Sequence, residues 1–263
     1  MTGIRSTIPD FPLTIRGIFE HGERVRRLAA ALGKLGIRPG DRVGTFAWNN
    51  QEHLEAYFAV PAMGAVLHCI NIRLFPEQLI YIVNHAADRI VIVDESLIPM
   101  LAKIAGQLTT VERYIAIGEG GGLPRETLRY EDVIASCDPV RAWPEVAENA
   151  AAGMCYTSGT TGNPKGVVYS HRSTWLHAMS SAMANSIGMT EDDKILPIVP
   201  MFHANAWGLP YSGWMCGTDF LMPDRFGKAE VLHLAFLNQV LHRSRYVFDR
   251  HIRVNTSAGR ASR

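Results

Sequence analysis

Between Tyr156 and Gly166 the chain reads Tyr-Thr-Ser-Gly-Thr-Thr-Gly-Asn-Pro-Lys-Gly, with three glycines, four aliphatic hydroxyls and one lysine. Gly159, Gly162 and Gly166 let the backbone approach an anion in conformations closed to other residues. Thr157, Ser158, Thr160 and Thr161 can donate hydrogen bonds to phosphate oxygens, and Lys165 adds a mobile positive charge. Together these groups suit a triphosphate. The stretch is not a Walker A loop, where Gly-Lys is followed by a Ser or Thr that reaches magnesium; here Lys165 lies between Pro164 and Gly166. A flexible surface linker would need neither the Pro-Lys-Gly ending nor the apolar strand candidates on both sides. The pattern predicts an ATP chemistry of another kind.

Such a loop needs a rigid frame, and the flanking sequence supplies one. Glu20 to Leu35 places Val25, Leu28, Ala29, Leu32 and Leu35 on one helical face, with Gly36 as its stop. Arg38-Pro39-Gly40-Asp41 turns the chain into a strand candidate at Arg42 to Trp48. A helix from about Gln51 follows, then a short apolar segment from Ala65 to Ile70. The longest apolar run, Ala56 to Leu67, is shorter than the roughly 20 residues a bilayer requires and contains Pro61 and Gly64, so it reads as buried helix. Pro76 suits a first helical turn, with Leu79, Ile82, Val83 and Ala86 at helical spacing behind it. Arg89 to Asp94 is a β-branched run expected of a strand covered on both faces, and another strand candidate spans Arg113 to Ile117. Gly118 to Leu123 and Pro139 to Glu148 read as loops. This alternation predicts an α/β fold of layered sheets and helices.

Composition sets limits. A length of 263 residues with 47% hydrophobic content supplies a sizeable core, and a net charge of +1 gives no bulk attraction to nucleic acid or membrane surfaces. Cys69, Cys137, Cys155 and Cys216 form no Cys-x-x-Cys pair. They read as small core residues in a reducing cytoplasm, with neither disulfide nor zinc. Met1 to Phe19 carries Arg5, Asp10 and Arg16 and shows no signal peptide or membrane anchor. His171 and His177 are six apart, which does not put them on one helical face, so no metal site is expected from them.

The run from Thr157 to Gly166, continued by Val167-Val168-Tyr169-Ser170-His171-Arg172, resembles the phosphate loop of the AMP-forming adenylating enzymes. That family includes acyl-CoA synthetases, aryl-CoA ligases, luciferases and peptide-synthetase adenylation domains. Upstream, Glu23 to Leu32 and Gly36 to Val43 are similar to its first helix and strand. Downstream, Pro200-Met201-Phe202-His203-Ala204-Asn205-Ala206-Trp207 resembles a second motif beside the acyl-adenylate pocket. Asn71 to Leu79 looks most like the fatty-acyl branch.

The resemblance implies the N-terminal part of the family's large domain, over 17–234, preceded by a shortened lead-in at 1–16. It implies an acid–thiol ligase that activates a fatty or medium-chain carboxylic acid with ATP and passes it to coenzyme A, with aryl acids as the alternative. By resemblance, Lys165 is the catalytic residue that guides the leaving pyrophosphate. Thr157, Ser158, Gly159, Thr160, Thr161, Gly162 and Gly166 hold phosphate, and His203 and Trp207 line the acid pocket, the aromatic as a gate. The helix after His171 is expected to turn its N-terminal end toward phosphate. Mg2+ is implied, although the family's magnesium ligand, ribose aspartate and adenylation lysine match nothing here.

From about Ala235 the chain departs abruptly from the family and carries Arg243, Arg245, Arg250, Arg253, Arg260 and Arg263. Residues 235–263 therefore read as a disordered basic tail of the sort a frameshift or mispredicted exon produces. On this reading the chain is a truncated, impaired ligase. The alternative is a non-catalytic ATP-binding or regulatory protein that acts through its tail. A sheet cut partway exposes strand edges, so homo-oligomerisation is expected.

Overall fold

A computed structural model describes residues 22–157, 163–224 and 245–247. The predicted lead-in at 1–16, loop residues Ser158, Gly159, Thr160, Thr161 and Gly162, and most of 235–263 lie outside them.

The first helix, α1 (Glu23–Lys34), has an acid in its first turn and a lysine in its last, each favoured by the helix dipole. Val25, Leu28, Ala29 and Leu32 are buried along one face, as the periodicity predicts. Strand β1 (Arg42–Phe46) leads to α2 (Gln51–Ala62), capped by Asn50, whose Oδ1 accepts the His53 N–H at 2.9 Å. The apolar run from Ala56 to Leu67 is not one helix. Pro61 carries no N–H, so the Tyr57 carbonyl loses its helical partner and accepts the Tyr211 hydroxyl at 3.2 Å instead. Gly64, at φ +86, then turns the chain into strand β2 (Val66–Cys69).

Helix α3 (Pro76–Ala86) begins on its proline, and β3 (Asp88–Asp94) follows. A short 3-10 turn (Glu95–Leu97), α4 (Ile98–Ala105), β4 (Arg113–Ile117), β5 (Thr127–Arg129) and α5 (Tyr130–Ala135) complete this half. The chain returns through β6 (Ala151–Tyr156) and β7 (Gly166–Ser170) to α6 (His171–Ala182) and β8 (Asp193–Ile195). A kinked turn (Ala204–Gly208), α7 (Leu209–Met215), β9 (Asp219–Phe220) and β10 (Arg245–Val247) follow.

Seven strands form one sheet in the order β5-β4-β3-β1-β2-β6-β7, and β10-β8-β9 form a second. All pairings in the large sheet are parallel except β6 with β7. Alternate residues of β3 explain its apolar run. Ile90 and Ile92 face the core under α1, α2 and α5, while Val91 and Val93 face the core under α3 and α4. Burying each such side chain contributes roughly 1.5–3 kcal/mol.

Two further expectations change. Arg245–Val247, inside the predicted disordered tail, is a strand paired with β8. Only Cys69 and Cys155 are buried; Cys137 and Cys216 are partly exposed, and all four are free thiols. Among the described residues no helix is long and apolar enough to cross a membrane.

Candidate active site

The predicted phosphate loop joins the two strands of a hairpin. Its ladder runs from Ala151 opposite Ser170 to Tyr156 opposite Gly166, and the Thr157 N–H donates to the Lys165 carbonyl at 3.0 Å to close the loop's base. Gly166 permits the close pairing, because a Cβ there would lie 3.3 Å from the Tyr156 ring. Tyr156 is fixed by a hydrogen bond between its hydroxyl and His85 Nδ1 at 2.7 Å, and burial pushes its phenol up to about 12. Because β6 is parallel to β2, the loop leaves the carboxyl edge of the sheet, where open α/β sheets bind ligands. Thr157 and Lys165 are exposed there, with buried Pro164 between Lys165 and the loop tip.

Helix α6 does not point its N-terminus at this loop. It starts at the far end of β7, and its first donors are spent on backbone and cap. The His171 N–H bonds Ala150 O at 3.1 Å, the Arg172 N–H bonds Glu148 O at 2.7 Å, and the Ser173 N–H bonds Ser170 Oγ at 3.0 Å. The antiparallel hairpin reverses the direction that a strand–loop–helix unit would have had.

The second motif is held to the same edge by side chains that sequence reasoning did not single out. Asn49, just beyond β1 and 3% exposed, donates from Nδ2 to the carbonyls of Pro197 (2.8 Å) and Val199 (3.0 Å). Its Oδ1 accepts the Met201 N–H at 2.7 Å. The buried Tyr57 hydroxyl donates to Met201 O at 2.5 Å, and burial holds its pKa well above the ordinary phenol value. Phe202 packs edge-on to Trp48 at 6.2 Å, and the Arg73 guanidinium lies over its ring at 5.5 Å. The one sequence signal for this anchor is a Trp-Asn-Asn triplet directly after a strand, where asparagines satisfy stray backbone groups.

Beyond Phe202 the backbone turns left-handed. Ala204, Asn205, Ala206 and Trp207 have φ of 45, 50, 49 and 54, and Gly208 has φ of 72. For L-residues this costs roughly 1–2 kcal/mol each, so surrounding contacts must over-determine the turn. The Ala204 N–H bonds the Cys155 sulfur, and burial raises that thiol's pKa. Asn205 packs toward β6, its Nδ2 being 3.4 Å from where a Gly153 Cβ would stand, and its buried Oδ1 has no partner among the described residues. The turn therefore sits on the strand that carries the phosphate loop, with His203 and Trp207 both exposed and Trp207 at 47%.

Thr157 thus follows β6, Lys165 and Gly166 open β7, and the turn bearing His203 and Trp207 touches β6 through Ala204 and Asn205. An exposed hydroxyl, an ammonium and the glycine that opens β7 can take phosphate oxygens. They do not make a magnesium site, and among the described residues no three His, Cys, Asp or Glu side chains cluster.

The sequence pattern of the AMP-binding enzyme family matches residues 19–245. A medium-chain-fatty-acid–CoA ligase of Ectopseudomonas oleovorans is 49% identical over 204 residues, which are 76% of this chain and 37% of the relative. A 3-methylmercaptopropionyl-CoA ligase of Ruegeria lacuscaerulensis is 45% identical over 236 residues, 88% of this chain and 44% of the relative. Among solved structures, an anthranilate CoA ligase bound to anthranoyl-AMP superposes with a TM-score of 0.72 at 27% identity, over 82% of this chain and 41% of that one. The chain thus spans about two fifths of the length of the curated relatives it matches.

Proposed function

The chain belongs to the AMP-binding enzyme family, and from that premise we propose that it carries the phosphate loop and acid pocket of an acid–thiol ligase. The acid we assign is a medium-chain fatty acid, as in the Ectopseudomonas relative, with an aryl acid as the alternative. In the reaction a carboxylate oxygen attacks the α-phosphorus of ATP, and the bond to pyrophosphate breaks. The thiol of coenzyme A then attacks the acyl carbon and AMP leaves.

The observation that carries this reading is the hairpin that places Lys165 and Thr157 at the carboxyl edge of β6 while the same strand supports the turn bearing His203 and Trp207. Two anions must meet at the α-phosphorus, so fixed donors and positive charge there lower the barrier. Lys165 offsets charge on the β- and γ-phosphates and stays with the departing pyrophosphate. Thr157 and the loop hydroxyls orient the chain of phosphates, and magnesium would accompany them. His203 lies toward the carboxylate and Trp207 at the entrance for its tail. The four free thiols support a reducing cytoplasm as the setting. The reading of 235–263 as an interaction tail lies outside the described residues apart from β10.

The test is calorimetric titration with MgATP together with octanoate-dependent ATP–pyrophosphate exchange. Lys165→Ala should weaken ATP binding at least about tenfold, the loss expected for a charge-assisted phosphate contact, and leave the unfolding midpoint in place because Lys165 is exposed. Equal ATP affinity in wild type and variant would refute the assignment. Exchange with benzoate and not octanoate would move the substrate to the aryl class.

A further inference from the structure

His177, which the sequence offered only as half of an unsuitable metal pair, touches the strained turn directly. Its Nε2 lies 2.9 Å from the Trp207 carbonyl oxygen, and since a carbonyl only accepts, this nitrogen carries the proton. The Ser181 hydroxyl lies 3.4 Å from the same nitrogen, one helical turn further along α6. On the other side, Gly208 is shaped to the imidazole. A Cβ at that position would stand 2.5 Å from His177 Cδ2 and 3.0 Å from Nε2, and the glycine's φ of +72 already disfavours any side chain. Ring and glycine fit each other where the left-handed run ends. Among the described residues the turn's own backbone hydrogen bonds are the Ala206 N–H to His203 O at 3.1 Å and the Leu209 N–H to Ala206 O.

We propose that His177 is a positioning residue for Trp207, its Nε2–H holding the Trp207 carbonyl and thereby locking the left-handed turn that sets the indole and His203 beside the phosphate-loop hairpin. Without that donor, the Ala206–Trp207 end of the turn, beyond the Ala204 and Asn205 contacts with β6, would be free to relax toward right-handed backbone, and the indole would leave its place. Because α6 continues directly from β7, the lock also ties the hairpin that carries Lys165 to the turn that carries Trp207. The importance of the lock rests on the reading of this region as an acid pocket, but its existence does not, and the test contains no substrate.

Amide hydrogen exchange of the full chain is measured for wild type, His177→Ala and His177→Gln, the glutamine offering an N–H at about the same reach. In His177→Ala the Ala206 and Leu209 amides should lose protection about fivefold, the value of one hydrogen bond, while the core Val91 amide is unchanged. His177→Gln should restore them. Unchanged protection in His177→Ala, an equal loss at Val91, or a folded His177→Gln that behaves like alanine would each overturn the proposal. Should His177→Ala fail to fold, His177→Gln decides alone: wild-type protection of Ala206 and Leu209 supports the lock, and lost protection or a failure to fold refutes it.

Discussion

Replacing Asn49 with alanine tests whether the second motif is held by one amide. The side chain serves three backbone groups, Pro197 O, Val199 O and Met201 N, at 2.7 to 3.0 Å, and is almost wholly buried. A buried polar group left without a partner costs about 1–3 kcal/mol. Water entering the vacated volume would serve part of the set, so we expect a loss of about 3–5 kcal/mol from three groups. That is a large share of a total stability of about 5–15 kcal/mol, and it lowers the urea midpoint by about 1–2 M. Asn49→Asp separates this account from simple loss of volume. It keeps the acceptor for Met201 N but sets a carboxylate oxygen against two carbonyl oxygens, so it should destabilise at least as much as alanine. The assay is urea unfolding followed by far-UV circular dichroism. A change within about 0.5 kcal/mol for Asn49→Ala, or wild-type stability for Asn49→Asp, would show that the anchor lies elsewhere.

Two further outcomes follow from groups away from this anchor. His53 is fully buried with Nδ1 2.8 Å from Trp48 O, and burial pushes it down to about 4; burial does the same to His171. A depressed histidine contributes stability in full above its unfolded value near 6.5 and loses it as pH falls toward 4, since only the unfolded chain takes up the proton over that interval. His53 should thus account for about 3 kcal/mol of acid lability, and urea midpoints measured from pH 7.5 to 4.5 should fall less steeply in His53→Gln; an unchanged slope would contradict the burial argument. Strand β7 is a sheet edge with Val168 59% exposed, so the chain should self-associate at micromolar concentration in sedimentation velocity, and Val168→Lys should reduce this. A wild-type monomer at all concentrations would mean that the edge is covered.

Much of the frame could be read from sequence because it rests on local patterns. The Val25, Leu28, Ala29, Leu32 stripe, the proline opening α3 and the β-branched β3 each carry their reason within one element. Errors arose where one element answers to another. The Ala56 to Leu67 run looks uniformly apolar, yet it breaks at Gly64, and its helix carries Pro61 inside it because a tyrosine far along the chain serves the carbonyl that the proline frees. The orientation of α6 depends on β7 pairing antiparallel, which no residue of the loop announces. At the candidate site, the types and spacing of Thr157, Lys165 and Gly166 pointed to a loop between two strands, and the three residues form the base of that hairpin. The left-handed turn was not, since Ala-Asn-Ala-Trp contains no glycine and is held there by partners on β6 and α6.

The Asn49 staple also fixes an order of events during synthesis. Its amide and the Met201 backbone are 152 positions apart. At about 5–20 residues per second, a ribosome needs about 8 to 30 s to get from one to the other. Strands β1, β3 and β4 and the helices over them can assemble within that interval, since their contacts close over much shorter distances. The turn after Met201 therefore seats on a frame already built, and only α7, β9 and β10 emerge after it. Until Met201 emerges, the carboxyl edge of β1 and the Asn49 amide stay open to water and to any chaperone that arrives first.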